Sequence, residues 1–206
     1  MQQILCLRLL AEKYSEKDQK VFNCFVDFKK AFDSVWHKGL WAVLRSFGTG
    51  PKLIRILQNI YGQTRGAARV NGELTDWFNM TVGNRQGDPI SPKAFILYLE
   101  RLMDPVQEHG EAGVIISGSR INNLKFADDV DLIDKDERGL QQQVDSLRDN
   151  SERYGMHINQ EKTKTMVFCR REEENDMCLS INNVAVENVP SSSYHIISSY
   201  IVCSNK

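Results

Sequence analysis

Two acidic clusters, about a hundred residues apart, constrain this chain more than any other feature. The first is Phe25–Asp33 (FVDFKKAFD), which begins at the end of an apolar run, and the second is Phe126–Asp129 (FADD), which interrupts another. Both patterns are typical of buried β-strands that carry a carboxylate at one end. A carboxylate with apolar flanks is costly unless its charge is paired or bound to a cation. The pattern therefore favours a shared site for the two clusters.

The carboxylates of these clusters are suitable ligands for divalent metal ions. Asp27 ends a predicted strand, and Asp128 and Asp129 form a predicted turn between two apolar segments. Brought together across neighbouring strands, they are enough to hold two Mg²⁺ ions roughly 3.5–4 Å apart, the usual arrangement for phosphoryl transfer. Hard cations prefer such oxygen ligands. The alternative is that each aspartate caps a turn and faces solvent.

A polar loop at 83–92 (GNRQGDPISP) leads into a predicted helix and offers groups for nucleotide binding. Arg85 can contact a phosphate or stack on a base, and Gln86 can hydrogen-bond to a base edge. Gly87 allows the backbone to approach a ligand closely. The alternative is an ordinary capped helix start at Ser91.

The order of the elements predicts an α+β fold. Apolar residues recur at helical spacing over 36–47, 52–61, 94–106 and 137–154, between the acid-bearing strands. This order suits a small antiparallel sheet with helices on one face, and the other face of such a sheet can stay open to a large ligand. The N-terminus predicts an amphipathic helix over about 2–13.

Composition narrows the cellular compartment and the class of partner. The chain has 206 residues, of which 41% are hydrophobic and 26% charged, as in a globular domain. None of its five cysteines forms a C-x-x-C pair, so we expect reduced thiols and an intracellular protein. From the lengths of its apolar runs we expect neither a signal peptide nor a membrane span. The net charge of −1 lacks the basic excess of most nucleic-acid-binding proteins.

Four segments resemble, in order, the motifs of reverse transcriptases. Phe25–Val35 (FVDFKKAFDSV) is similar to motif A, 83–92 to motif B, Phe126–Asp129 to motif C and Gly155–Lys164 (GMHINQEKTK) to motif D. Their order and spacing resemble those of the non-LTR (LINE-like) retrotransposon branch, over about Phe22–Cys169. The resemblance implies a polymerase palm and RNA-directed DNA polymerase activity, with two-metal nucleotidyl transfer from a dNTP to a primer 3′-OH.

The resemblance implies a set of metal ligands and a proton donor. The catalytic acids and metal ligands would be Asp27, Asp128 and Asp129, with the Phe28 carbonyl oxygen as a further ligand. They would hold two Mg²⁺ ions, with Mn²⁺ as an alternative. Lys162 would be the lysine of motif D that protonates pyrophosphate, although a lysine in a polar loop can equally be a solvated surface group.

The resemblance also implies a nucleotide site and its partners. Phe32 would be the aromatic residue that excludes the ribose 2′-OH, and Phe28, Arg85, Gln86 and Gly87 would lie against the incoming nucleotide and the template. The partners would be an RNA template, a DNA primer and a dNTP. The chain would be part of a longer polyprotein.

The resemblance divides the chain into three segments. Residues 1–20 would be an N-terminal helix left from the fingers, 21–170 the palm with motifs A to D, and 171–206 a C-terminal hairpin with an irregular tail. Most of the fingers and the thumb would be missing. The alternative function is therefore an inactive palm fragment derived from a retrotransposon, or an interaction module without polymerase activity.

Overall fold

A five-stranded sheet lies at the centre of the chain, whose computed structural model describes residues 2–84, 87–108, 112–170 and 177–190. In spatial order, the strands are β13 (Glu187–Asn188), β10 (Lys164–Phe168), β1 (Val21–Val26), β9 (Asp129–Asp134) and β8 (Asn123–Phe126). The pairing of β13 with β10 is parallel, and the other neighbours are antiparallel. The predicted α+β fold with a small, mainly antiparallel sheet is confirmed.

The predicted helices are present, with ends within a few residues of those expected. They are α1 (Gln2–Ser15), α2 (His37–Ser46), α3 (Pro51–Gly62), α4 (Ser91–Glu108) and α5 (Glu137–Arg153). A short 3₁₀ turn, Ala31–Ser34, follows β1. No helix in the described part of the chain combines the length and the apolar composition that crossing a bilayer requires.

Within the described residues, four short antiparallel strand pairs lie outside this sheet. They pair β2 (Arg65–Gly66) with β5 (Phe78–Asn79), β3 (Arg69–Val70) with β4 (Glu73–Leu74), β6 (Val114–Ile116) with β7 (Ser119–Ile121), and β11 (Ser180–Ile181) with β12 (Val184–Ala185). An Asn-Gly turn joins β3 to β4, in which Asn71 and Gly72 have φ of 50° and 90°.

Apolar side chains cover both faces of the sheet. On one face, β1 and β9 contribute Cys24, Val26, Val130 and Leu132 to the core that α2, α3, α4 and α5 complete. On the other face, α1 packs Leu7 and Leu10 into a second cluster with Val21, Phe25, Ile133 and Met166. The expectation of helices on one face alone is therefore wrong. The reason is that the apolar side of α1 is buried by packing against this sheet face.

Candidate metal and nucleotide site

Strand pairing brings the predicted acids to one end of the sheet. Val26 of β1 lies opposite Val130 of β9, so the next residues, Asp27 and Asp129, are neighbours on the two strands. Asp128 lies in the tight turn between β8 and β9, in which Phe126 pairs with Asp129. The turn requires a left-handed residue, Ala127, with φ of 54°.

Burial and neighbouring negative charges raise the pKa values of Asp128 and Asp129. Burial, with the charge of Asp27 as a smaller cause, raises the pKa of Asp128. Burial and the charges of Asp128 and Asp27 raise the pKa of Asp129 to about 7. Oδ2 of Asp129 is buried and has no hydrogen-bond partner within the described ranges. A positive charge at this end of the sheet would relieve all of these costs.

The donor chemistry fits a hard divalent cation, although the acids do not form a closed cage. Across the described ranges, no group of three or more His, Cys, Asp or Glu side chains is arranged to hold a metal ion. Mg²⁺ in polymerase-type sites usually takes one or two carboxylates and completes its shell with water and substrate phosphates. Asp27, Asp128 and Asp129 meet that requirement as neighbours rather than as a chelating triad.

A segment of the motif D region holds Asp27 in place. The Asn159 side-chain amide donates from Nδ2 to Asp27 Oδ2 at 3.0 Å, and the Asn159 backbone N–H donates to the Asp27 carbonyl at 2.7 Å. The Asp27 backbone N–H donates to Thr163 Oγ1 at 3.3 Å. The sequence pattern did not indicate these contacts, because nothing local to Asn159 shows that its partner lies 132 positions away.

A fourth acid, Asp131, lies deeper on β9 and was also missed. Its pKa is raised well above the ordinary value, first by burial and then by the charge of Asp129. Gln3 of α1 donates from Nε2 to its Oδ2 at 3.5 Å. The signal that could have revealed it is alternation, because an acid two positions after Asp129 shares the same sheet face.

The two predicted aromatic residues occupy different environments. Phe28 is buried in the helix-side core, and its backbone forms an antiparallel bridge with Ile158. Phe32 is half-buried in the 3₁₀ turn and stacks on Phe95 of α4, with ring centroids 4.3 Å apart. The turn thus places Phe32 between the strand that leads to Asp27 and the helix that follows the motif B loop.

The start of the motif B loop is docked on the turn that carries Phe32. Gly83 and Asn84 donate their backbone N–H groups to the carbonyls of Val35 and Phe32, both at 2.8 Å. Gly83 has a φ of 92°, and a Cβ there would lie 3.3 Å from the Asp33 carbonyl oxygen. This close approach requires glycine.

The predicted nucleotide-binding residues of the loop are only partly visible. Arg85 and Gln86 lie outside the described residues. Gly87 has a φ of 80°, and a Cβ there would meet no described atom within 4 Å. Ser91 begins α4, but its hydroxyl contacts the Tyr61 hydroxyl at 3.2 Å, and it is Asp88 that accepts from a backbone N–H of the entry turn.

The predicted proton donor lies at the surface. Lys162 is exposed in the turn after Asn159, and its backbone N–H donates to the Asn159 carbonyl at 3.2 Å. Its neighbour Lys164 instead pairs with Glu187 of β13 at 2.6 Å. The geometry leaves the role of Lys162 a prediction.

Comparisons with known proteins identify the family of this chain. The profile of the family described as "Reverse transcriptase (RNA-dependent DNA polymerase)" matches residues 2–196. The Pol polyprotein of the type-2 retrotransposable element R2DM of Drosophila melanogaster is 31% identical over 70% of this chain. The RNA-directed DNA polymerase of the mobile element jockey, from the same fly, is 26% identical over 76% of it.

Solved structures show the same fold. Apo telomerase from Candida tropicalis, truncated from its C-terminal domain, superposes over 81% of this chain with a TM-score of 0.59 and 19% sequence identity. Telomerase from the same organism with a fragment of telomeric RNA superposes over 90% with a TM-score of 0.60 and 14% identity. The chain spans 14% of the length of the R2DM polyprotein and 17% of the jockey polymerase, and 34% and 31% of the two telomerase chains.

Proposed function

Because this chain belongs to the reverse transcriptase (RNA-dependent DNA polymerase) family, we propose that it acts as the catalytic palm of an RNA-directed DNA polymerase of a non-LTR retrotransposon. The observation that carries the proposal is the meeting of Asp27, Asp128 and Asp129 at one end of the sheet. On this proposal, residues 21–170 form the palm, 1–20 belong to the fingers, and 171–206 are a C-terminal hairpin segment, from which β13 joins the palm sheet beside β10. The chain acts as part of a longer polyprotein.

The acids provide the cation site. Asp27, Asp128 and Asp129, with the Phe28 carbonyl, hold two Mg²⁺ ions or, alternatively, Mn²⁺. Two ions held there would supply activation of the primer 3′-OH and stabilisation of the leaving phosphate oxygen. Because the pKa of Asp129 is raised to about 7, cation binding replaces a proton at this carboxyl group near neutral pH.

The remaining predicted residues provide the nucleotide site. Phe32, fixed against Phe95, limits the space at the 2′ position of the incoming sugar, which selects a dNTP. Gly87, where a Cβ would meet no described atom within 4 Å, lets the backbone approach the nucleotide, which Arg85 and Gln86 contact. Lys162 donates a proton to the departing pyrophosphate, and the primer on its RNA template lies along the acid-bearing end of the sheet.

Primer extension tests the proposal. The chain, fused to the fingers and thumb of a related element, should extend a DNA primer on an RNA template in the presence of Mg²⁺. Asp27→Asn should abolish extension, because an amide cannot replace a charged oxygen ligand at a hard cation. Asp33→Asn is the matched control, since Asp33 is an exposed acid six positions later in the same motif. Extension that survives Asp27→Asn contradicts the proposal.

A second candidate is a non-catalytic palm used for protein interaction. The net charge of −1 favours it, because phosphate contacts dominate affinity for nucleic acid and require an excess of cations. Binding of the chain to a primer–template hybrid at several salt concentrations separates the two candidates. A steep salt dependence together with extension supports the polymerase, and no binding at low salt supports the interaction module.

A further inference from the structure

We propose that Asn159 is a positioning residue of the cation site, which fixes the Asp27 carboxylate so that Oδ1 alone faces the cation. The inference rests on the proposed function and assigns a role to a side chain outside the predicted site. It is carried by the hydrogen bond from Asn159 Nδ2 to Asp27 Oδ2 at 3.0 Å.

The backbone around both residues is fixed, so this hydrogen bond has a defined geometry. Lys29 donates its N–H to the His157 carbonyl at 2.8 Å, and Asn159 donates its N–H to the Asp27 carbonyl at 2.7 Å. Between them, Phe28 and Ile158 form an antiparallel bridge. The strand-like pairing extends the β1 end and places the Asn159 side chain beside the Asp27 carboxylate, where little movement is allowed.

An amide suits this position better than a cationic side chain. A lysine or arginine beside Asp27 would bind the carboxylate and repel a metal ion. Asn159 donates to one oxygen without adding charge, so the negative charge shared by Asp27, Asp128 and Asp129 remains available to a cation. Ligating carboxylates are commonly held by such outer hydrogen bonds, and loss of the partner typically weakens metal binding about 10–100-fold.

The same residue links Asp27 to the turn that carries Lys162. The Asn159 carbonyl accepts the N–H groups of Lys162 at 3.2 Å and Thr163 at 2.8 Å. Thr163 also contacts Asp27, because its Oγ1 accepts the Asp27 backbone N–H at 3.3 Å. Asn159 therefore sets the position of the turn relative to the acid that it holds.

Mn²⁺ binding to the intact chain tests this inference. Electron paramagnetic resonance of free Mn²⁺ gives the dissociation constant for the chain and for its Asn159→Ala variant. The control is Gln160→Ala, because Gln160 lies in the same turn but donates from Nε2 to the Ile181 carbonyl at 3.2 Å. We expect Asn159→Ala to weaken Mn²⁺ binding at least about tenfold. Gln160→Ala should change it less than twofold, while the two variants lower Tm to a similar extent.

Asp27→Asn separates failure of the inference from failure of the proposed function. If Asp27→Asn weakens Mn²⁺ binding but Asn159→Ala binds Mn²⁺ as the unmodified chain does, the role of Asn159 is overturned and the cation site stands. If Asp27→Asn and the unmodified chain behave alike, including no binding by either, the cation site fails and the role of Asn159 fails with it.

Discussion

Asp129, one of the proposed cation ligands, lies where burial and neighbouring charges both oppose its ionisation. Its carboxyl group is half-buried, and one of its oxygens has no partner among the described residues. Asp128 and Asp27 lie close enough to raise its pKa further. The folded state therefore carries a free-energy cost for ionising this group, which a cation bound at the proposed site would offset.

Asp129 gives a pH dependence of stability with a definite sign. Its pKa is about 7 in the folded protein and about 3.9 when unfolded. Between these values the folded state keeps a proton on Asp129 that the unfolded state has lost. The stability contributed by the neutral carboxyl group is therefore fully present below about pH 4 and is lost as the pH rises through 7. In chelator-treated protein, Asp129→Asn should raise the free energy of unfolding at pH 8 by about 1 kcal/mol, a figure reduced for solvent screening.

Urea unfolding at pH 5 and pH 8 measures this effect. The increase in the free energy of unfolding caused by Asp129→Asn should be larger at pH 8 than at pH 5. Asp33→Asn, at an exposed position in motif A, should show no such difference. An increase that is equal at both pH values would argue against repulsion between Asp129 and the neighbouring Asp27 and Asp128.

Phe32 gives a prediction about sugar selection. Phe32→Ala removes the ring that stacks on Phe95 and should lower the ratio of kcat/KM for dNTP over rNTP roughly tenfold or more in the fused polymerase. Phe22→Ala is the control, because Phe22 is also half-buried against the main core but lies at the opposite end of β1. Unchanged sugar selectivity in Phe32→Ala would remove Phe32 from this role.

At the scale of elements, a buried polar network connects the motif B loop to three helices. The Tyr61 hydroxyl of α3 donates to Asn84 Oδ1 at 3.4 Å and contacts Ser91 Oγ of α4 at 3.2 Å. His37 of α2 contacts the Gly83 carbonyl through Nε2 at 2.8 Å. These contacts hold the start of the loop next to the turn that carries Phe32.

Tyr61→Phe tests the network. The ring stays packed edge-on against Trp41 and His37, but buried Asn84 loses its donor, so we expect a loss of about 1–2 kcal/mol in the free energy of unfolding. Tyr14→Phe is the matched control, because the Tyr14 hydroxyl bonds to the Ile115 backbone at an exposed site. Equal losses in the two variants would contradict a special contribution from the network.

How far the sequence predicts these elements depends on the range of the interaction. The helices, the Asn71-Gly72 turn and the acid-bearing strands follow from local spacing, and the structure contains them. The packing of α1 on the second sheet face depends on Leu7 and Leu10 meeting distant strands, which periodicity does not specify. The Asn159–Asp27 pair spans 132 positions, so local spacing could not predict it either.

At the scale of the whole molecule, the chain spans 14% of the R2DM polyprotein. In the proposed function the acids supply a cation site, but nucleotidyl transfer also requires the template and the dNTP to be held in register. In the proposed function, that task belongs to the fingers and thumb. Because substrate positioning requires these other parts, the proposed function predicts different activities for the chain alone and for the chain in a longer protein.

We therefore expect the isolated chain to extend a primer at a small fraction of the rate of the fused polymerase, on the order of one hundredth or less, as loss of substrate positioning predicts. Both proteins are assayed at equal concentration on the same primed RNA template, with a fused Asp27→Asn variant as the background. Robust extension by the 206-residue chain alone would show that the palm needs no further positioning elements.

The most direct test of the central claim, that the two acidic clusters form one cation site, is a crystal structure with Mn²⁺ located by its anomalous scattering. We expect a Mn²⁺ peak at about 2.1 Å from oxygens of Asp27 and Asp128, at the end of β1 and beside the β8–β9 turn. A peak bound elsewhere, or Asp27 and Asp128 carboxylates more than ~10 Å apart, would contradict it, because a two-metal site holds its ions only 3.5–4 Å apart.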